Sequence, residues 1–352
     1  MWGELELTRI VIEPPDELIS INAETRTSVT WHFVGYSEDQ LIDLLNNAAL
    51  PVNLQARLLD HQSWERRADR LLLRVPKDLI LALPMESRRV LYAALSPFAE
   101  NGGQWAPASF RANSAADWFA GSGLTDRTVS LVQPLLYRRG AALLFSDLDL
   151  ILADIKTQRQ RMLLLRTLAR STAQLAKLRI RPDTDLSAVI DYWSVGQARR
   201  AIAPLLKSLP RDEDGFAIDL VHLLPPAARR LVYTYDAPPP PGEESFRDCH
   251  WTALNFANNE LDDRYRDIAA VRAAYATNYI TVTDEPRLGD IYLFLTEGGT
   301  VLHASVHIAG DLVFTKNGAW AAAPWVLMRM SDLVDLYPSD EPLEIRHLRR
   351  RE

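Results

Sequence analysis

Apolar and polar positions alternate with a period of two over residues 4–12 and again over 27–36. Both stretches are rich in β-branched and aromatic residues, which predicts two strands. From about residue 38 to 230 the period lengthens towards that of a helix. Asp39-Gln40-Leu41-Ile42-Asp43-Leu44-Leu45, Met162-Leu163-Leu164-Leu165-Arg166-Thr167-Leu168 and Asp185 to Trp193 set their apolar residues on one helical face. This region reads as mostly helical with a small β element. After it comes Asp236-Ala237-Pro238-Pro239-Pro240-Pro241-Gly242. Four consecutive prolines neither continue a helix nor join the middle of a sheet, so residues 236–244 read as an extended linker. Beyond it the period of two returns. Pro286-Arg287-Leu288-Gly289-Asp290 is a turn feeding a strand to Phe294, Glu297-Gly298-Gly299-Thr300 a hairpin turn, Val301 to Ala309 a strand, Gly310-Asp311 a turn and Leu312 to Lys316 another strand. The fold class expected is α+β. A helical region fills 1–235, a helix-plus-antiparallel-sheet domain 245–338, and a basic frayed tail 339–352.

A faint internal echo crosses these boundaries. Leu83-Pro84 with Arg88-Arg89-Val90-Leu91-Tyr92 resembles Leu224-Pro225 with Arg229-Arg230-Leu231-Val232-Tyr233, and Ser109-Phe110-Arg111 resembles Ser245-Phe246-Arg247. A duplication that left Asn113 near the place of Cys249 explains both, as do two unrelated proline-started helices.

The chain has 352 residues, enough for two cores, with 47% hydrophobic and 24% charged residues. A net charge of −7 excludes general affinity for nucleic-acid backbones, which requires a basic face. No apolar run approaches the roughly 18 residues that span a bilayer. Met1-Trp2-Gly3-Glu4-Leu5-Glu6 lacks a basic and then apolar leader, which makes the cytoplasm the default compartment, and the periplasm or exterior the alternative if a leader has been removed. The histidines show no metal-ligand spacing, and there is no phosphate loop or dinucleotide fingerprint, so neither a metal nor a cofactor is expected.

Chemistry concentrates around the only cysteine, Cys249. Asp248 is a good N-cap, and Trp251, Leu254 and Phe256 supply an apolar face, so Cys249 falls in the first turn of a helix, where the helix dipole favours thiolate. His303, Ser305 and His307 alternate onto one face of their strand, with His303 and His307 about 13 Å apart. Only one of them can serve Cys249 as a base. Asn317 follows His303 by fourteen positions. A thiol, an imidazole to take its proton and an amide to orient the imidazole form a nucleophilic triad.

Phe246-Arg247-Asp248-Cys249, Pro286 to Phe294 and His303-Ala304-Ser305-Val306-His307-Ile308-Ala309 resemble the active-site helix, the Pro-x-x-Gly-Asp strand and the histidine strand of NlpC-type peptidoglycan peptidases. Phe314-Thr315-Lys316-Asn317-Gly318-Ala319-Trp320 resembles the asparagine stretch of papain. The resemblance covers roughly 245–325. It implies a papain-like fold, Cys249 as nucleophile, His303 as base and Asn317 as the orienting group. Thr315 is the alternative third residue, less suited because a hydroxyl orients an imidazole less well than an amide. Departures are visible as well. His250 stands where NlpC-type enzymes have Ser, and its place on a helix turns it from Cys249 into a surface or supporting role. Glu243 stands where papain has its oxyanion glutamine, and an ionised carboxylate cannot donate. The Cys249 N–H is one remaining oxyanion donor, and Tyr235 is a candidate for a second. The resulting expectation is a cysteine hydrolase that cleaves amide bonds through a thioester, on a peptide such as a peptidoglycan stem peptide. The alternatives are a thiol acyltransferase and an inactive binding or scaffold protein. The helical region then binds a protein or caps the cleft.

Overall fold

The computed structural model describes residues 2–110, 114–194, 199–210, 215–238, 247–337 and 342–351. Contacts divide the chain into two units, Met1–Leu18 with Ala169–Glu352 and Ile19–Leu168. Strand β1 (Glu4–Ile12) belongs to the first unit. The second holds two small antiparallel sheets. β2 (Ser28–Val34), β3 (Trp64–Arg67) and β4 (Arg70–Pro76) pair in the order β2-β4-β3, and β5 (Ala108–Phe110), β6 (Tyr137–Arg139) and β7 (Ala142–Phe145) in the order β5-β7-β6. Helices such as Glu38–Asn47 and Gln158–Leu168 pack around them. The centre of this unit is a buried Arg88–Asp147 ion pair, with Tyr92 donating to Asp147 at 2.7 Å.

The first unit resumes with β8 (Ser171–Ile180) and β9 (Phe216–Asp219), which join β1 in the order β1-β8-β9. A six-stranded antiparallel sheet follows. Its strands are β10 (Tyr279–Thr281), β11 (Ile291–Leu295), β12 (Val301–Ala309), β13 (Leu312–Lys316), β14 (Trp325–Arg329) and β15 (Glu344–Arg350), in the order β10-β15-β11-β12-β13-β14. The helix Cys249–Asn255 lies on one face of it, where Trp251, Ala253 and Leu254 share a core with Ala304, Val306 and Ile308. On the opposite face Phe294, Val313, Val326 and Met328 form a separate core with Leu333.

Three expectations are corrected. Residues 38–230 hold more β structure than the small element expected: helices predominate, but seven strands, β3 to β9, fall there among the described residues. All but β8 are short, and the apolar run Leu71-Leu72-Leu73 in β4 carries no helical or strand period of its own. The proline run does not separate two units. Leu220, Leu224 and Leu231 before it and Trp251 and Leu254 after it share one core, and β1 pairs with β8 along its whole length, so residues 1–18 and 169–235 belong with Cys249. Of the linker itself, Asp236 is buried, and 239–244 lie outside the described residues, as do Asn113 and Glu243. The basic tail is not frayed. Residues 344–350 form β15, inserted between β10 and β11. Asp290, held in a turn by Gly289 at φ 92°, accepts from Arg349 Nη2 and pairs with His347 Nε2, both at 2.7 Å. This buried carboxylate fastens the C-terminal strand to the start of β11.

The echo extends further once the elements are known. Asp78, Leu79, Leu83, Pro84, Arg88, Arg89 and Tyr92 recur without a gap as Asp219, Leu220, Leu224, Pro225, Arg229, Arg230 and Tyr233. In both copies a strand (β4, β9) leads into a short helix, a proline and a second helix, Met85–Leu95 or Pro226–Leu231. Ala116, Phe119, Ala120, Leu124, Asp126 and Arg127 then recur as Ala253, Phe256, Ala257, Leu261, Asp263 and Arg264. Each unit thus carries one copy of the same pattern, which favours duplication over coincidence. No helix among the described residues is long and apolar enough to cross a membrane.

Candidate functional site

Cys249 is the first residue of its helix. The side chain of Asp248 caps that helix by accepting from Trp251 N at 2.8 Å. The helix start is fixed from outside by Arg247, whose guanidinium lies 4.8 Å from the Trp251 ring and bonds Asp236 and Asp263 at 3.2 Å. Asp263 also accepts from Trp251 Nε1 at 3.0 Å. The two carboxylates hold Arg247, and Arg247 and Asp263 hold Trp251, so Cys249 sits on a rigid support.

The sulfur lies where the sheet opens. β12 and β13 pair from Ala309↔Leu312 only as far as Val306↔Phe314. Two residues further on, Ala304 and Lys316 no longer pair. The Ala304 N–H is turned to the Cys249 sulfur, and its carbonyl receives a long bond, 3.5 Å, from Thr315 Oγ1. The Cys249 and His250 N–H groups also reach the sulfur, and all three favour the thiolate. Burial outweighs them. Although Cys249 keeps part of its surface exposed, desolvation with the charge of Asp248 pushes the thiol up to about 12.

His303 is fully buried on the far face of β12, opposite Phe294 and away from the helix core. Both its ring nitrogens are engaged. Nε2 meets Thr315 Oγ1 at 2.7 Å, and Nδ1 meets the Tyr337 hydroxyl at 2.8 Å, with the Tyr337 ring stacked 4.4 Å away. Each ring nitrogen is paired with a hydroxyl that can donate or accept, so both tautomers of the neutral ring are satisfied. Burial first, and then the nearby His250, push the imidazole down to about 3. Among the described residues no hydrogen bond joins Cys249 to His303. The Tyr337 hydroxyl, within electrostatic reach of Cys249, occupies the nitrogen a thiol would use.

The other sequence-derived residues are placed as follows. Asn317 does not orient His303. The strand ends at Lys316, so the alternation that would align Asn317 with Thr315 stops one residue short, and Gly318, at φ 118°, turns the chain. Asn317 Nδ2 points at Met328 Sδ, 3.1 Å away, and its Oδ1 is buried with no partner among the described residues. Thr315 holds the position assigned to Asn317. His250 is part-buried beside the site, in a supporting place. Its Nδ1 meets Tyr275 OH at 3.1 Å, and Tyr275 is within electrostatic reach of Cys249. Tyr235 is half-buried next to a segment tied to β14, where Tyr233 N donates to Trp325 O at 2.7 Å and Trp325 N to Thr234 O at 3.1 Å. His307 lies further along β12 between the hydroxyls of Tyr192 and Tyr292, at 3.3 and 3.4 Å.

Sequence reasoning missed Tyr337, which lies beyond the stretch of the resemblance. It also missed Lys316, noticed only as the neighbour of Asn317. Lys316 is completely buried, which is unusual for this residue type and has no sequence signature. Among the described residues, no group of three or more His, Cys, Asp or Glu could hold a metal ion. No protein-family model, curated protein or solved structure matches the chain.

Proposed function

We propose that the first unit is a cysteine hydrolase acting on amide bonds, held in a closed resting state. One observation carries this reading: the lone thiol begins a helix and receives N–H groups from its own turn and from Ala304, the residue next to a histidine that Thr315 orients. In the reaction Tyr337 withdraws from Nδ1 and His303 takes the thiol proton. The sulfur then attacks the carbonyl, with the Cys249 and His250 N–H groups supporting the oxyanion. Imidazolium protonates the leaving amine, and water activated by the same nitrogen releases the acyl group from the thioester. The substrate class proposed is a peptide, of which a peptidoglycan stem peptide is the first to test.

The rival reading, an inactive binding protein of the same fold, draws on the raised thiol and the occupied imidazole. Turnover separates the two. Fluorogenic peptidyl amides, including stem-peptide sequences, are incubated with the wild type and Cys249→Ala. We expect amine release by the wild type alone, and no Cys249-dependent release under any activating condition supports the binding protein. Truncation of 1–235 is unsuitable as a test of a capping region, because β1, β8 and β9 belong to the unit that carries Cys249.

A further inference from the structure

We infer that Lys316 is the cation that balances the Cys249 thiolate, a positioning role in the chemistry proposed above and dependent on that reading. Lys316 ends β13 at the point where the sheet opens, and the β12–β13 register, continued by two residues, sets it across from Ala304, whose N–H reaches the sulfur. It is 0% exposed. Its ammonium donates to Gly318 O at 2.9 Å and Trp320 O at 2.7 Å and lies 5.6 Å from the Trp325 ring centre. An ammonium has three donors, and the third has no partner among the described residues. Among the described residues no carboxylate lies within ion-pair distance of it, so there this buried cation has no direct counter-ion.

The acidic groups within electrostatic reach are Asp236, Asp248 and Cys249 itself. Asp236 is already bonded by Arg247, and Asp248 caps the helix through Trp251 N. Cys249 is the only one of the three that gains charge during the reaction. When the S–H bond breaks, the proton goes to His303 Nδ1 and the electron pair stays on sulfur, within electrostatic reach of a lysine with one donor to spare. Nothing is oxidised or reduced. Burial pulls Lys316 down to about 8, against the pull of the three acidic groups, so at neutral pH the side chain is charged but only just. A thiolate nearby restores its ordinary preference for the proton. Trp325 ties the pair together, since its indole lies beside Lys316 and donates to Thr252 Oγ1 at 2.9 Å on the helix that carries the cysteine.

The test is the pH profile of Cys249 alkylation by iodoacetamide in the full chain, for wild type, Lys316→Met, Lys316→Arg and His303→Ala, with folding checked by near-ultraviolet circular dichroism. We expect Lys316→Met to lower the rate at pH 8 by at least about tenfold, a one-unit rise of the thiol titration, and Lys316→Arg to hold it within about threefold. If His303→Ala suppresses alkylation and Lys316→Met does not, the hydrolase reading survives and this inference fails. If only Lys316→Met suppresses it, the inference stands and His303 loses its place. Should Lys316→Met not fold, the lysine is followed directly by NMR of 13Cε-labelled protein, a spectrum of only five lysines. Its titration falls in Cys249→Ser if the pair exists, and an unchanged titration overturns the proposal.

Discussion

Acidification tests whether His303 and His307 are held neutral in the interior. His303 is 0% and His307 2% exposed, and burial lowers them to about 3 and about 4 from the usual 6.5. Around His307 the carboxylate of Asp290 pulls the other way and His347 adds to the lowering, but desolvation prevails. For a group whose native titration is depressed by burial as a base, the unfolded chain binds the proton first. Stability is therefore intact above pH 6.5 and falls as the pH drops towards 4. Each histidine contributes a slope of about 1.4 kcal/mol per pH unit in that window. From pH 6.5 to 5 the two together remove about 3 kcal/mol, a large part of the 5–15 kcal/mol typical of a folded domain. His250, also lowered, adds in the same direction. Asp290 does not confuse the window, because its lowered carboxyl loses stabilisation only below its usual 3.8. The assay is urea unfolding at pH 7.5, 6.5, 5.5 and 5.0, followed by tryptophan fluorescence, for wild type, His303→Gln and His307→Gln. Each variant starts less stable at pH 7.5 but loses stability with acid by one proton fewer than the wild type. Identical slopes for all three proteins would refute the placement of neutral imidazoles in the core.

Replacing Tyr337 by Phe removes the hydroxyl from His303 Nδ1 while keeping the ring; a lost hydrogen bond of about 0.5–1.5 kcal/mol should raise the Cys249 alkylation rate by about two- to tenfold, and a slower rate in a folded variant would mean that Tyr337 assists the thiol instead of blocking it. Thr315→Val leaves His303 Nε2 buried without a partner, so we expect about 1–3 kcal/mol lower stability and loss of activity, whereas Asn317→Ala should leave peptidyl-amide turnover within about twofold because Asn317 does not reach the imidazole; the reverse order of effects in kcat/KM would return Asn317 to the triad. Asp290→Ala strips the buried partner from Arg349 and His347 and should cost about 3–5 kcal/mol, and a shift of the urea midpoint worth under about 1 kcal/mol would show that β15 is fastened some other way.

Local patterns carried the strands around the site with little loss. β1, β2, β12 and β13, the hairpin turn before Val301 and the capped helix at Cys249 all follow from alternation, turn residues and a good N-cap, which act within a few positions of the chain. Long-range facts were not legible. Nothing near Glu4 indicates that β1 pairs with β8, and nothing in Arg346 or Arg349 shows that their segment lies between β10 and β11 until Asp290 is seen beside it. Within the site, Cys249 and His303 stood out as rare residue types in order. Strand alternation also put Asn317 and Thr315 on one face, but it cannot tell where a strand stops. That single residue decides which side chain meets His303. Tyr337 and Lys316 were hidden for a different reason: tyrosine at a helix end and lysine at a strand end are ordinary in sequence, and only the contact of Tyr337 with His303 and the burial of Lys316 make them chemical.

The most direct test of a cysteine hydrolase in this chain is whether Cys249 takes an acyl group. Intact-protein mass spectrometry after brief exposure to an activated acyl ester, with an acid quench, reads the thioester itself. We expect the acyl mass on the wild type, more of it on Tyr337→Phe, none on Cys249→Ala, and decay of the adduct that slows in His303→Ala. No Cys249-dependent adduct in folded wild type and Tyr337→Phe would contradict the enzyme reading and leave a binding protein.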